Sequence, residues 1–329
     1  MTTVSVVLVT YQSQDCLNAC LASLRTAARA CWGLEVILVD NASTDGTWSQ
    51  IEAFAASEAS EASEASEADS ALFRTVRILR LEENRGYAFA NNRGIEMASG
   101  EAVLLLNPDT EVTPEAIPVC LERLTGARGS AGASGASGAS GASGSTDGES
   151  RRGTLGAVGC RLVLPDGRLD RAAKRSFPTL WNSFCKFSGL ATLWPKSHLF
   201  GAYNLTWVPE RASLEVDCVC GAFMMVTRDV VQQTGGFDED YFLYGEDIDW
   251  CYRIREAGHR IWYEGSVTTL HRKGGNGGKR SAASLTHFYG TMALFFEKHY
   301  GNRYPAWVLR LVRRATRVMC AVHVALLRG

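Results

Sequence analysis

Hydrophobic and polar positions along the first hundred residues follow two alternating periods. Val4-Ser5-Val6-Val7-Leu8-Val9 is a short, nearly continuous apolar run, as a strand covered on both faces requires. Gln14–Ala30 instead spaces Leu17, Leu21 and Leu24 along one face of a helix. The alternation then repeats. Leu34–Val39 predicts a strand, Thr47–Phe54 the start of a helix, and Thr75–Leu79 a third strand. Ala88–Ala98 predicts a helix, and Ala102–Leu106 a fourth strand ending at Asn107-Pro108-Asp109. Apolar strands separated by helices predict parallel βαβ units and an α/β fold.

From Leu155 the pattern changes. Gly156–Leu164 predicts a strand that runs into the turn signal Pro165-Asp166-Gly167. Phe177–Trp207 is rich in aromatic residues and has little clear period. Glu215–Val226, with Gly221-Ala222 inside it, predicts a strand, Asp247–Ala257 a helix, Arg260–Tyr263 a short strand and Leu285–Tyr300 a helix. Pro305–Leu327 predicts a basic amphipathic helix. Trp307, Leu311, Val318, Val322 and Leu326 share one face, while Arg310, Arg313, Arg314 and Arg317 crowd elsewhere. Such a helix suits either an anionic bilayer surface or a packed position with a solvated basic side. Four arginines within eight residues favour the bilayer. The expected division is one domain over 1–278 and a helical extension over 279–329.

Two segments interrupt these patterns. Ser57–Ala68 repeats Ser-Glu-Ala, and Gly129–Gly144 is built from Gly-Ala-Ser. The first can prolong the preceding helix but offers no apolar face, and the second cannot bury enough surface to order itself. Both, bounded at 57–70 and 127–151, read as solvated insertions between a helix and the next strand, where added length costs little.

Composition narrows the function classes. At 329 residues, 46% hydrophobic and 21% charged, the chain has the make-up of a globular protein with a sizeable core. A formal net charge of -1 excludes a global basic field for nucleic acid. The ten cysteines form no C-x-x-C pair, so buried thiols in a reducing cytosol are expected rather than zinc. The chain opens directly into a strand-like run, and about 18 uninterrupted apolar residues occur nowhere. Cytoplasmic residence, at the inner face of the cell membrane if the last helix docks there, is the expectation.

Candidate chemistry sits where strands end. Asp40 closes the second strand and points toward the crevice that open α/β sheets use for ligands, where an acid accepts hydrogen bonds from a ribose or a base. Asn84-Arg85-Gly86-Tyr87 precedes a helix whose free amides suit a phosphate, with Arg85 as a cation and Gly86 permitting close backbone approach. Asp109 is a hard oxygen ligand of the kind that Mg²⁺ or Mn²⁺ takes together with substrate phosphates. His271, after Ser266–Leu270, is a competent ligand for a transition metal, and Arg272-Lys273 beside it suits phosphate. Each alone also has a structural reading: a cap or tight turn for Asp40 and the Gly86 loop, a strand-end turn for Asp109, and a hydrogen-bonded structural residue for His271. The sharpest signal is Gly235–Trp250, which holds Glu246-Asp247 at a helix start among glycines and aromatics. A carboxylate in such a pocket serves as a general base toward a hydroxyl. A dinucleotide dehydrogenase is disfavoured, since no G-x-G-x-x-G follows the first strand, and no Walker motif occurs. A nucleotidyltransferase would need a glycine-rich loop where Val9-Thr10-Tyr11-Gln12-Ser13 stands.

Taken in order, these landmarks resemble the family 2 inverting glycosyltransferases with a GT-A fold, in particular the bacterial rhamnosyltransferase-like branch. Val6–Tyr11, Val39–Gly46, Asn84–Asn92 with Gly94, Leu105–Asp109, Leu164–Gly167, Gly221-Ala222-Phe223 and Gly235–Asp249 carry the resemblance. It implies a Rossmann-like, mostly parallel central sheet with flanking helices, followed by C-terminal amphipathic helices. It also implies that Thr10 and Asp40 hold the nucleoside and that Arg85, Gly86 and Asn91 line the donor site. Asp109 looks like the last acid of a D-x-D-type metal motif whose first acid is here Asn107, and His271 like the histidine completing that metal site. Asp247 looks like the catalytic base, with Glu246 orienting the acceptor, though either neighbour can fill the first role. The implied reaction moves a sugar from a dTDP-rhamnose or UDP-sugar donor to a glycan or lipid-linked acceptor with inversion. The alternative is a sugar-nucleotide binder that has lost turnover.

Overall fold

The structure is a computed structural model that describes residues 2–28, 33–64, 72–126, 153–273 and 281–328. In chain order its elements begin with β1 (Val4–Thr10), α1 (Leu17–Ala28), β2 (Leu34–Asp40), α2 (Thr47–Glu64), β3 (Thr75–Arg80), α3 (Tyr87–Met97) and β4 (Ala102–Leu106). Then come β5 (Thr110–Val112), α4 (Ala116–Thr125), β6 (Leu155–Val163), β7 (Lys174–Arg175), α5 (Leu180–Phe187), α6 (Leu190–Leu193), β8 (Leu214–Val216), β9 (Cys218–Val219) and β10 (Phe223–Thr227). The last are α7 (Arg228–Thr234), α8 (Glu246–Glu256), β11 (Arg260–His271), α9 (Ala282–Tyr300) and α10 (Ala306–Arg328).

The main sheet runs β3-β2-β1-β4-β10-β6-β11-β5, with β8 added beside β11. Its first half is the parallel βαβ arrangement that the apolar runs predict, β1 pairing in parallel with both β2 and β4. Every residue of β1, β2 and β4 is buried, because helices cover both faces of these strands. The order reverses between β1 and β4, which opens a crevice at their carboxyl ends. Beyond β4 the sheet is mixed, since β10 is antiparallel to β4 and β6, while β6 and β11 are parallel. β3 is an edge strand and is mostly exposed, with Arg77 and Arg80 on it. Charged side chains of this kind protect an open edge.

Two strand boundaries are corrected, and two further segments gain detail. Glu215–Val226 is three strands, not one, because the chain leaves the main sheet after β8 to pair β9 with β7. Asp217 marks the break, accepting the Phe177 amide at 3.1 Å. The short strand expected at Arg260–Tyr263 runs on to His271 past an irregularity between Glu264 and Thr268. Phe177–Trp207 contains α5, started by a capping box in which Thr179 and Asn182 satisfy each other's amides. The Ser-Glu-Ala repeat prolongs α2 to Glu64 and does contribute a contact, since buried Glu58 accepts from Arg25 at 2.5 Å. The remainder of that repeat and the whole Gly-Ala-Ser repeat lie outside the described residues. The nine described cysteines are free thiols, most of them buried, as expected from their spacing.

A buried carboxylate ties α9 to the rest of the fold, beside the Lys298–Asp238 pair and the Tyr244–Ser284 contact. Asp249 is fully buried and takes Arg253 on one oxygen at 2.8 Å, and Lys298 and His299 on the other at 2.7 Å each. Burial alone would raise its pKa, but the His299, Lys298 and Arg253 hydrogen bonds hold the carboxyl well below the usual range. Around this anchor, Phe295, Phe296 and Tyr300 of α9 pack with Tyr252 of α8. No helix among the described residues is long and apolar enough to cross a membrane.

Removing the Asp249 carboxylate leaves Arg253 without its carboxylate partner and Lys298 with Asp238 alone. Asp249→Ala is expected to lower the unfolding free energy by about 3–5 kcal/mol in urea titrations. In the wild type this contribution is present above the ordinary carboxyl pKa and is lost as pH falls below it toward the lower folded value. A variant as stable as wild type at pH 7 would remove Asp249 as the anchor.

Candidate active site

Three loops at the carboxyl ends of β1, β2 and β4 build the floor of the crevice. Asp40 is fully buried, accepting the Thr10 hydroxyl at 3.0 Å and the Ser43 amide at 3.1 Å. Thr10 and Asp40 are therefore brought together but lie beneath the surface, where they shape the Asn41–Gly46 loop. Above it a cavity of about 360 Å³ is lined by Ala42, Ser43, Thr44, Arg80, Leu81 and Glu82. Asn41 links this loop to the next, donating to Asn84 at 2.9 Å and to the Gly86 carbonyl at 3.2 Å, and accepting the Arg85 amide at 3.2 Å.

Gly86 has φ +96 at the start of α3, and a Cβ there would come within 2.6 Å of the Phe242 carbonyl oxygen. The close approach that glycine permits is thus to the chain's own acidic loop, which the Tyr87 amide then grips through the same carbonyl at 2.7 Å. The Arg85 guanidinium lies 3.6 Å over the Phe89 ring, held by cation–π attraction, while the side chain stays exposed. Asn91 is buried and donates back to the Tyr87 carbonyl at 2.9 Å, so it braces the first turn of α3.

Tyr87 joins the two halves of the site. Its hydroxyl lies 2.7 Å from the Asn107 side-chain oxygen and 3.3 Å from the Gly221 carbonyl. Asn107, which stands where an acid was expected, is therefore directed at Tyr87. Burial, then the negative charge of Glu246, pushes the Tyr87 hydroxyl well above its ordinary pKa, so it remains a donor.

The acidic pair stands at the first turn of α8, where the helix dipole favours negative charge. Tyr244 and Gly245, with φ 71 and 85, both adopt left-handed backbone just before it, and together they turn the chain into the helix. Asp247 places one oxygen 2.6 Å from Arg175 and 3.1 Å from the Gly221 amide. Arg175 comes from β7 and also donates to the Val219 carbonyl at 2.9 Å. Both members of the ion pair are about nine-tenths buried. Glu246 has no such cation in contact, and its Oε2 has no hydrogen-bond partner among the described residues. Burial first, and the Asp247 charge second, raise its pKa to about 8.

Asp109 and His271 are 162 residues apart in sequence (271 − 109) and meet through strand pairing. β5 pairs antiparallel with β11, aligning Thr110 with His271, and the Arg272 amide donates to the Asp109 carbonyl at 2.8 Å. The His271 Nε2 then lies 3.4 Å from an Asp109 carboxylate oxygen. Behind the ring, Nδ1 lies 2.8 Å from buried Asp170, which also accepts Lys273 at 2.8 Å. Burial opposes charge on the imidazole, but Asp109 and Asp170 outweigh it and raise the pKa to about 9. The turn at Pro165-Asp166-Gly167 delivers Asp170, since the chain doubles back there and the Asp170 amide donates to the Leu162 carbonyl at 2.9 Å. Two side chains face the position between Asp109 and His271, with Asp170 orienting the ring from behind. The pair offers two ligand types that a divalent cation takes, ordered as in a carboxylate–histidine–metal triad, while no group of three or more such ligands occurs among the described residues. Arg272 and Lys273, read as phosphate partners, are instead paired with Glu111 and Asp170.

Arg175, Asp170, Asn41 and Tyr87 carry much of this geometry and were not singled out by sequence reasoning. The turn signal before Asp170 was legible. Nothing marks Arg175, which lies between the Pro165-Asp166-Gly167 turn and the aperiodic stretch from Phe177.

Comparison with known proteins agrees with this architecture. Residues 5–184 match the family profile described as "Glycosyl transferase family 2", and residues 192–285 one described as "Glycosyltransferase like family 2". The N-acetylglucosaminyl-diphospho-decaprenol L-rhamnosyltransferase of Mycobacterium tuberculosis is 31% identical over 319 residues, spanning 93% of this chain and 88% of its own. The rhamnosyltransferase WbbL of Escherichia coli is 37% identical over 71 residues, 21% of this chain and 27% of its own. Among solved structures, the mannosyltransferase PcManGT from Pyrobaculum calidifontis, in complex with GDP-Man and Mn²⁺, superposes with a TM-score of 0.55 at 18% identity. It covers 95% of this chain and 68% of that one. GalNAc-T7 with UDP, GalNAc and Mn²⁺ superposes with a TM-score of 0.53 at 12% identity, covering 96% of this chain and 55% of that one. The likeness to these structures shows the fold, and the sequence match shows the relationship: this chain belongs to glycosyl transferase family 2, as a rhamnosyltransferase-like glycosyltransferase on the GT-A fold.

Proposed function

We propose that this chain transfers a sugar, rhamnose or a related hexose, from a nucleoside diphosphate onto a hydroxyl of a lipid-linked or cell-envelope glycan, with inversion. The observation that carries this reading is the Asp247 carboxylate, with one oxygen fixed by Arg175 and the Gly221 amide and the other available to an acceptor hydroxyl. The donor fits dTDP-rhamnose or a UDP-sugar, its nucleoside toward the cavity beside Ala42–Thr44 and Arg80. The relative from M. tuberculosis is named for an amino sugar on a decaprenyl diphosphate, which makes a lipid diphosphate the favoured acceptor class.

In this mechanism the acceptor oxygen attacks the anomeric carbon from the face opposite the diphosphate. Its proton passes to the open oxygen of Asp247, and the glycosyl C–O bond breaks with its electron pair going to the nucleoside diphosphate. Arg175 and the Gly221 amide hold the carboxylate still through this step, so little reorganisation is required. Protonated Glu246 donates a hydrogen bond to the acceptor and orients it. Tyr87 keeps the donor-side Asn107 and the acid-side Gly221 in register. Asp109 and His271 would hold Mg²⁺ or Mn²⁺, which when bound neutralises charge on the leaving diphosphate. The exposed face of α10, with its arginines, makes peripheral contact with the membrane that carries the acceptor.

Incubating the protein with a panel of nucleotide sugars and Mn²⁺ or Mg²⁺ tests the reading, the expected result being release of one nucleoside diphosphate dependent on a polyprenyl-diphosphate acceptor. No release from any donor would sink it. Asp247→Asn is expected to lower turnover about 10²–10⁴-fold while leaving donor affinity near wild type; unchanged turnover would reassign the base. Asp109→Ala should weaken nucleotide binding in calorimetry with Mn²⁺ and not in its absence, and equal affinities under both conditions would remove Asp109 from the metal site. Turnover should fall as pH rises through about 8, where Glu246 loses its proton and its donor role. Glu246→Gln keeps an N–H donor at that position, so its pH profile should lose this alkaline limb; a limb that survives belongs to another group.

A further inference from the structure

We infer that α5–α6 and the outward face of α10 together form one docking surface for an anionic bilayer, and that α10 alone is only half of it. The first observation is that α5 is amphipathic in the unusual sense. Asn182 and Cys185 face inward, while Leu180, Trp181, Phe184 and Phe187 are exposed. Leu193, Trp194 and Leu199 extend the patch, Leu193 at 67% and Trp194 at 53% exposure. Its rings touch in series, Trp181 with Phe184 at 6.0 Å, Trp181 with Phe200 at 6.2 Å and Trp194 with Phe200 at 5.4 Å. Single exposed apolar residues are ordinary, but a contiguous aromatic patch marks a contact surface.

The second observation is that both patches belong to one packed unit. Phe187 of α5 packs against Tyr289 of α9 at 6.3 Å, and the Tyr289 hydroxyl lies 2.7 Å from His323 of α10. His323 adjoins Val322 and stands one turn from Leu326, which are 52% and 72% exposed. The inner side of α10 is committed to α9 through Tyr289–His323 and Arg313–Glu297. Trp307, Leu311, Val318, Val322 and Leu326 therefore look outward on the side free for a partner.

Charge identifies that partner. Arg310, Arg314 and Arg317 are exposed and have no carboxylate partner among the described residues, and exposed Lys196 follows Trp194 by two positions. The whole chain carries a net charge of only -1, so this positive rim is a local feature. Tryptophans at an apolar surface bordered by arginines match the interfacial layer of an anionic membrane. A second copy fits less well, since a two-fold contact through this face would bring two arginine stripes into one interface. The surface also lies close to the chemistry in sequence: α5 begins five residues after Arg175, which grips Asp247. Seated on a bilayer, it would hold the candidate base near the headgroups, a consequence that rests on the function proposed above.

Vesicle flotation of the full chain tests the surface without requiring turnover, so its outcome is separate from that of the glycosyl-transfer reading. Wild type is expected to float with phosphatidylcholine vesicles containing phosphatidylglycerol and to stay behind with phosphatidylcholine alone. Trp181→Ser/Phe184→Ser and Leu311→Ser/Val318→Ser, on separate helices, should each cut partitioning about tenfold or more, because stable anchoring takes two signals. Arg314→Glu/Arg317→Glu should abolish the preference for anionic lipid. Circular dichroism should be unchanged, since all six side chains are exposed, with a small fall in melting temperature for the α5 variant alone, which loses the Trp181 bond to the Leu199 carbonyl. The proposal is overturned if the α5 variant floats as wild type, or if neutral and anionic vesicles bind equally. It is equally overturned if wild type ignores vesicles and sediments as a dimer that the α5 variant dissolves.

Discussion

The buried ion pair between Arg175 and Asp247 is the constraint on which the rest of the site depends. Taking both charges out of water costs several kcal/mol per ion unless each finds close partners. Asp247 finds two, Arg175 and the Gly221 amide, and Arg175 adds the Val219 carbonyl. To supply them, the chain must leave the main sheet after β8, form the small β7–β9 ladder and return through Gly221 into β10. The tortuous path from Lys174 to Phe223 is the covering that makes a buried carboxylate tolerable at the mouth of a sheet.

The three acids at the start of α8 divide the work by their neighbours. Asp249 faces away from the crevice and anchors α9 through Lys298 and His299. Asp247 faces Arg175. Glu246, with neither arrangement, keeps its proton near neutrality because burial and the adjacent charge both disfavour the anion. A run of acids that looks like a charged helix surface is thus three groups in three environments, differing by one or two positions along a helix turn.

A second device holds the other end of the crevice. His271 lies at the end of the longest strand, and its register against β5 sets it beside Asp109, while the turn at Pro165–Gly167 brings Asp170 behind the ring. Tyr87 connects this side to the acid pair by touching Asn107 and Gly221 at once. The cost of Asn107 in place of an acid is one fewer carboxylate, and its return is a neutral acceptor for a buried hydroxyl. Asp109, which follows β4, and Tyr87, which follows β3, thus join the parallel half of the sheet to His271 and Gly221 of the mixed half.

By itself the sequence determined the elements whose signal is local. The apolar runs of β1, β2 and β4 specify buried parallel strands, the heptad-like spacing of α10 specifies its two faces, and Pro165-Asp166-Gly167 specifies a turn. The order of motifs also made the family legible, and Asp109, His271, Glu246 and Asp247 could be named from it. What the tertiary structure alone decided is which partner each of those residues has. Arg175 lies 72 residues from Asp247 and Asp170 lies 101 from His271, separations across which no periodicity carries information. The same holds for Asp40, whose strand-end position suggested a ligand, and for Thr10, named with it through the family resemblance; burial turned the two toward each other. Long-range pairing is set by how sheets and helices close around a core, and only that closure decides whether an acid meets water, a cation or another acid.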